Sequence, residues 1–114
     1  MTIAAFLEKL TQTPTAINFV ETIAVIEANY DFTPTAFENG LQHNVAGENS
    51  GSCKLFAFAE IQNLSEAATL DCFGAYYFKD VLKNPNGKDH QNIRNFMKTG
   101  WDGIAFYGSA LVLK

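Results

Sequence analysis

Residues 18–40, NFVETIAVIEANYDFTPTAFENG, decide the fold class, because the pattern within them changes from helical to extended. Asn18, followed three residues later by Glu21, is a capping-box pair that can satisfy two orphan amides at a helix start. Phe19, Ile23, Ile26 and Tyr30 then recur at i, i+4, i+7 and i+11, an apolar stripe of helical period. From Asp31 to Asn39 the residues Phe32, Thr33, Thr35 and Phe37 favour extended backbone, while Pro34 has no N–H for a central ladder. The segment is therefore predicted as an edge strand, ended by the Asn39-Gly40 turn. A chain that carries both patterns side by side is mixed.

Working outward, Thr2 to Leu10 reads as a short helix with Phe6, Leu7 and Leu10 on one side, closed by the Thr11–Thr15 stretch with its Pro14. Downstream, Leu41 to Ser52 is a polar segment containing Asn44, Gly47, Asn49 and Gly51, a long loop of the kind that often carries function. Ser52 can cap a third helix whose Leu55, Phe56, Phe58, Ala59 and Ile61 leave little polar surface, so it should be buried. Ser65 can cap a fourth, Glu66 to about Leu82, with Leu70, Phe73, Tyr77 and Val81 at helical spacing. Gly74 inside that helix costs about 1 kcal/mol relative to Ala, which points to a close backbone approach there. After the Asn84-Pro85-Asn86-Gly87 turn, Asp89 can cap a fifth helix through Lys98, closed by Gly100. Ile104 to Leu113 reads as strand interrupted by Gly108.

These elements make an α+β fold: about five helices around a Phe-rich core, with a small antiparallel sheet of two strands near residues 31–39 and 104–113. With 114 residues, 47% hydrophobic and with ten Phe, the chain can bury a full core without a disulfide or metal staple. No linker or repeat divides it, and a single domain over residues 1–114 is expected.

Charge narrows the function classes. Eight Lys and Arg stand against twelve Asp and Glu, for a net charge of -4, and the cations are scattered. That pattern argues against a nucleic-acid groove and against a polybasic membrane patch. No run approaches the ~20 apolar residues of a membrane-spanning helix, and Met1 to Leu10 lacks the form of a secretory signal, so a cytoplasmic location is expected.

Three kinds of site fit these residues. Cys53 follows Gly51-Ser52 at a helix start, where unpaired amides would lower a thiol's pKa, and His90 beside Asp89 could serve as its base. That constellation reads as a Cys-His hydrolase or acyl transferase, with Asp89 or Asn49 orienting the imidazole. A metal site from Cys53, Cys72, His43 and His90 lacks ligand spacing, and no cofactor is called for. The third reading is recognition: Asn44, Asn49, Arg94 and Trp101 would line a pocket, with Arg94 as a planar fork for a carboxylate or phosphate. The partner is then an unidentified protein or a small anionic ligand. Between them, a small binding or interaction domain is the primary expectation. Its site gathers the Asn44–Lys54 loop and the Asp89–Arg94 helix start.

Five segments carry a family likeness: Phe32–Gly40, Ala46–Lys54, Cys72–Tyr77, Asp89–Met97 and Gly100–Ile104. In this order they resemble the HopJ type III effector family over roughly Phe19 to Phe106, a typical domain span. The resemblance implies a small α+β fold and a bacterial protein delivered into a host cell by type III secretion. It supplies no catalytic residue set.

Overall fold

The computed structural model describes residues 1–114. Helix α1 (Ile3–Gln12) starts where the Thr2 hydroxyl accepts the Ala5 amide at 3.1 Å, and it buries Phe6 and Leu10. A short 3-10 turn at Pro14–Ala16 leads to α2 (Phe19–Asn29). Asn18 caps α2 as expected, accepting the Glu21 amide at 2.8 Å. The Glu21 carboxylate does not close the box; it pairs with Lys9 at 2.7 Å and ties α2 to α1.

The expected pairing of residues 31–39 with 104–113 is present, split into two antiparallel sheets. Strand β1 (Tyr30–Phe32) pairs with β5 (Leu111–Leu113), and β2 (Phe37–Asn39) pairs with β4 (Ile104–Phe106). The split falls at Pro34 on one segment and at Gly108 on the other, the two residues least able to continue a ladder. A third strand, β3 (Gln42–Asn44), lies inside what reads as loop from the sequence, and it pairs with β2. Between them Gly40 sits at φ 62°, the positive φ that a two-residue hairpin turn requires at its first central position. Alternation hid this strand, because Gln42, His43 and Asn44 carry no apolar face.

The core forms around α3 (Ser50–Ile61), whose Leu55, Phe56, Ala57, Phe58 and Ala59 are all buried. Phe56 is its centre, with ring centroids 6.1, 5.5 and 5.0 Å from Phe37, Phe73 and Phe96. Helix α3 begins at Ser50, two residues before the expected cap, and Asn49 occupies the cap position.

The fourth helix departs most from its reading. Helix α4 (Glu66–Asp71) is capped by Ser65 as expected but does not run to Leu82. It breaks at Gly74, and the chain resumes as a widened, π-helical turn over Tyr76–Val81. Gly74 adopts φ 61°, and a Cβ there would lie 2.9 Å from the Asn18 Cα and 3.0 Å from the Ile17 carbonyl oxygen. The glycine thus marks a close backbone approach, with the helix bent around it.

Helix α5 (Gln91–Thr99) buries Ile93 and Phe96 and ends at Gly100. A 3-10 turn (Gly100–Gly103) then delivers the chain to β4. Asp89 does not cap α5, because its carboxylate is held by Arg94 at 2.6 Å; His90 takes the cap position. No helix is long and apolar enough to cross a membrane.

Replacing Gly74 by Ala combines a left-handed backbone with overlap against residues 17–19. Gly74→Ala is expected to destabilise the fold by ~2–4 kcal/mol, measured as a lower urea midpoint at unchanged m-value.

Candidate functional site

Two helix starts that are about forty residues apart in sequence converge on one cleft. Helix α3 is entered through Asn49 at φ 51° and α5 through His90 at φ 50°, and neither start has a side-chain cap. Left-handed non-glycine residues are uncommon and cluster at functional sites. The amides of Ser50, Gly51 and Ser52, and those of Gln91 and Asn92, find no acceptor within the chain. The cleft holds about 350 Å³ and is bordered by both starts together with Phe19, Gln42, Phe73 and Tyr76.

Part of the lining is a continuous run of rings. Phe19 stacks on Phe73 at 6.1 Å and meets Tyr76 at 5.2 Å, and Tyr76 in turn meets the His90 imidazole at 5.1 Å. Gly51 leaves room for this run, since a Cβ there would sit 2.9 Å from the Phe19 ring. The widened turn at Tyr76–Val81 also supplies Asp80, whose carboxylate lies 3.0 Å from His90 Nε2.

The other part is a carboxamide cluster braced from below. Buried Asn44 accepts from Asn49 Nδ2 at 2.7 Å and from Asn92 Nδ2 at 3.0 Å, and donates to Asn92 Oδ1 at 3.2 Å. Asn39 adds donations to the Asn92 carbonyl at 2.8 Å and to its Oδ1 at 3.0 Å. Gln42 donates to Asn44 and accepts from Asn95 at 2.8 Å. The buried Asn39 Oδ1 is left without a partner, while the remaining bonds of the cluster tie the hairpin, the start of α3 and the start of α5 together.

The structure therefore brings together the loop around Asn49 and the helix start at His90. It divides the remaining candidates. Cys53 is buried, hydrogen-bonds its Sγ to the Thr35 carbonyl at 3.5 Å and does not border the cleft. Burial pushes its thiol pKa up, against the smaller lowering effects of the Thr35 bond and Lys54, so the lowered pKa expected of an activated nucleophile is absent. His90 is oriented by Asp80, while Asp89 stands 3.8 Å away. The Asp89 carboxyl lies below its usual range, chiefly through its hydrogen bond from Arg94.

Arg94 is no free fork. Its side chain is 9% exposed and donates to the Asp89 carboxylate and to the carbonyls of Asp89, Asn84 and Pro85. It locks the turn before α5. Trp101 donates its indole N–H to the Leu64 carbonyl at 2.9 Å and meets Phe96 edge-on, away from the cleft. Asn44 is a brace under the cleft. Ser52 and Gln91 border the cleft and fall inside the two segments the sequence assigns to the site, whereas Phe19 and Tyr76, core-like or unassigned by sequence, and Gln42, just before the loop, carry no such signal. No three His, Cys, Asp or Glu side chains gather in a metal-holding arrangement.

The comparisons agree with this architecture. Residues 3–111 match the family of the HopJ type III effector protein. A crystal structure of the unknown function protein VPA0580 superposes with a TM-score of 0.98 at 56% identity, covering 100% of this chain and 95% of that one. No curated protein matches the chain.

The thiols offer a pH test. Burial, reinforced by Asp71, pushes Cys72 up to about 12, well above the ~8.5 of an unfolded thiol. A folded-state pKa raised in this way favours the native state at pH below the unfolded value, and that contribution is lost as pH rises towards 12. Denaturation at pH 8–11 is expected to show stability falling with pH, less steeply in Cys72→Ala. Equal slopes would remove Cys72 as the cause.

Proposed function

The chain belongs to the HopJ type III effector family, and on that premise we propose that it acts as a small binding domain whose ligand sits in the cleft between the starts of α3 and α5. The observation that carries this reading is the convergence of Asn49–Ser52 and His90–Ile93 on one cavity of about 350 Å³. That volume lies within the ~300–1,000 Å³ of small-molecule sites. The walls are preorganised: the Asn44 brace fixes the two starts, and both left-handed cap residues hold first-turn amides free of internal partners. Preformed walls reduce the ordering cost of binding.

No Lys or Arg borders the cleft, and Arg94 is committed to its own turn. The site thus works through hydrogen bonds and ring contacts rather than through a cation. A fragment screen read by amide chemical shifts is the direct test. Hits are expected to move Gly51, Ser52, Gln91 and Asn92 together, and Ser52→Phe, which places a ring in the cleft, is expected to abolish those shifts while the fold persists. Shifts confined to other surfaces, or none, would overturn the assignment.

The family match favours a second reading, about place rather than chemistry: delivery into a host cell by type III secretion. A reporter fused to the 114-residue chain is expected to reach host cytosol from a secretion-competent strain and not from an isogenic strain lacking the export ATPase. Equal signal, or none, from the two strains would count against export.

A further inference from the structure

The lining of the cleft specifies more than the presence of a ligand. We infer that the ligand is an uncharged, polyhydroxylated ring of the monosaccharide class, seated with one face on the Tyr76 ring and its hydroxyls towards the carboxamides. This rests on the binding reading above and names the chemistry of that same site.

Three observations carry it. The first is charge: the lining contains no Lys, Arg, Asp or Glu, and His90 is its one titratable side chain besides the Tyr76 phenol. A phosphate or carboxylate would meet no Lys or Arg side chain there, only the amides of the two helix starts and His90, which is already hydrogen-bonded to Asp80.

The second is the supply of hydrogen-bonding groups of both kinds. Asn49 commits its Nδ2 to Asn44 and Gln91 its Nε2 to the Lys88 carbonyl, leaving each side chain a carbonyl oxygen that accepts. The amides of Gly51, Ser52 and Asn92 donate. The Ser52 and Tyr76 hydroxyls can do either. These groups come from three separate stretches of chain, residues 49–52, 76 and 91–92, all bordering the one cavity. A sugar hydroxyl both donates and accepts, and a pyranose carries such groups around its whole rim, matching that distribution. A flat heteroaromatic base presents its polar atoms in one plane and would leave part of the rim unpaired.

The third is the ring wall. Tyr76 is 42% exposed, and its ring borders the cleft beside Phe19, tilted 59° to it. The C–H face of a pyranose is apolar and lies flat on an aromatic ring, while its edge stays polar. The volume of about 350 Å³, at the small end for ligand pockets, suits one or two such rings rather than a polymer groove.

The test uses the folded chain and three sets of probes at equal concentration: neutral hexopyranoses, nucleosides, and short-chain carboxylates with inorganic phosphate. Amide shifts at Gly51, Ser52 and Asn92 are followed. At least one hexopyranose is expected to shift all three saturably, with Tyr76→Ala and Gln91→Ala each weakening it by about three- to tenfold and leaving the melting temperature near wild type. If nucleosides or anions move these amides and no hexopyranose does, the sugar assignment is overturned while the cleft stands as the binding site. Should no probe of any set move them, the assignment is likewise overturned, and the fragment screen alone then decides whether the cleft binds anything.

Discussion

One buried pair of carboxamides holds the site together. Asn44 on β3 and Asn92 on α5 each donate to the other, at 3.2 and 3.0 Å, and both are almost inaccessible to solvent. Carboxamides placed in a core without partners would be strongly destabilising, so each requires the other. Because Asn44 also receives Asn49 and Asn92 also receives Asn39, this contact fixes the hairpin, the start of α3 and the start of α5 relative to one another. The cleft is the space those three elements leave.

Much of the fold could be read from the sequence where apolar spacing and punctuation agree. Helix α2 with its Asn18 cap, the Ser65 cap, the buried α3 and the antiparallel partnership of the two distant strand segments all follow from local rules that tertiary packing reinforces, although α2 buries Thr22 and Val25 beside Ile26 and Tyr30 opens β1. The departures have specific causes. Strand β3 has no apolar alternation, being held by hydrogen bonds to β2 and by Asn44 beneath it. Helix α4 carries an unbroken helical stripe, yet the backbone of residues 17–19 occupies the space a straight helix would need beyond Gly74. Such a conflict is decided in three dimensions.

The site was half legible. Two segments rich in polar and glycine residues, far apart in sequence, were expected to meet, and they do. What the sequence could not show is which way each side chain turns. Cys53 and Ser52 are neighbours on one helical turn, but the thiol faces the core while Ser52 borders the cleft. Arg94 looks like an anion fork until the carbonyls of Asn84, Pro85 and Asp89 are found around it. Asn44 reads as a loop residue available to a ligand, and is a structural brace.

The pairing of β1 with β5 has a consequence for how the molecule comes into being. Tyr30 lies opposite Leu113, and the Lys114 amide donates to the Asn29 carbonyl. The β1–β5 and β2–β4 pairs each join an early stretch of chain to a late one, so they close only after residues 104–113 are made, whereas the β2–β3 hairpin is local. Contacts this distant in sequence slow folding, because the loop entropy is lost before the contacts form. During synthesis α1, α2 and α3 can pack on one another, but the part of α3 that β5 covers stays open until that strand arrives. The time spent unfolded is set by the topology of the ladder rather than by the strength of the core.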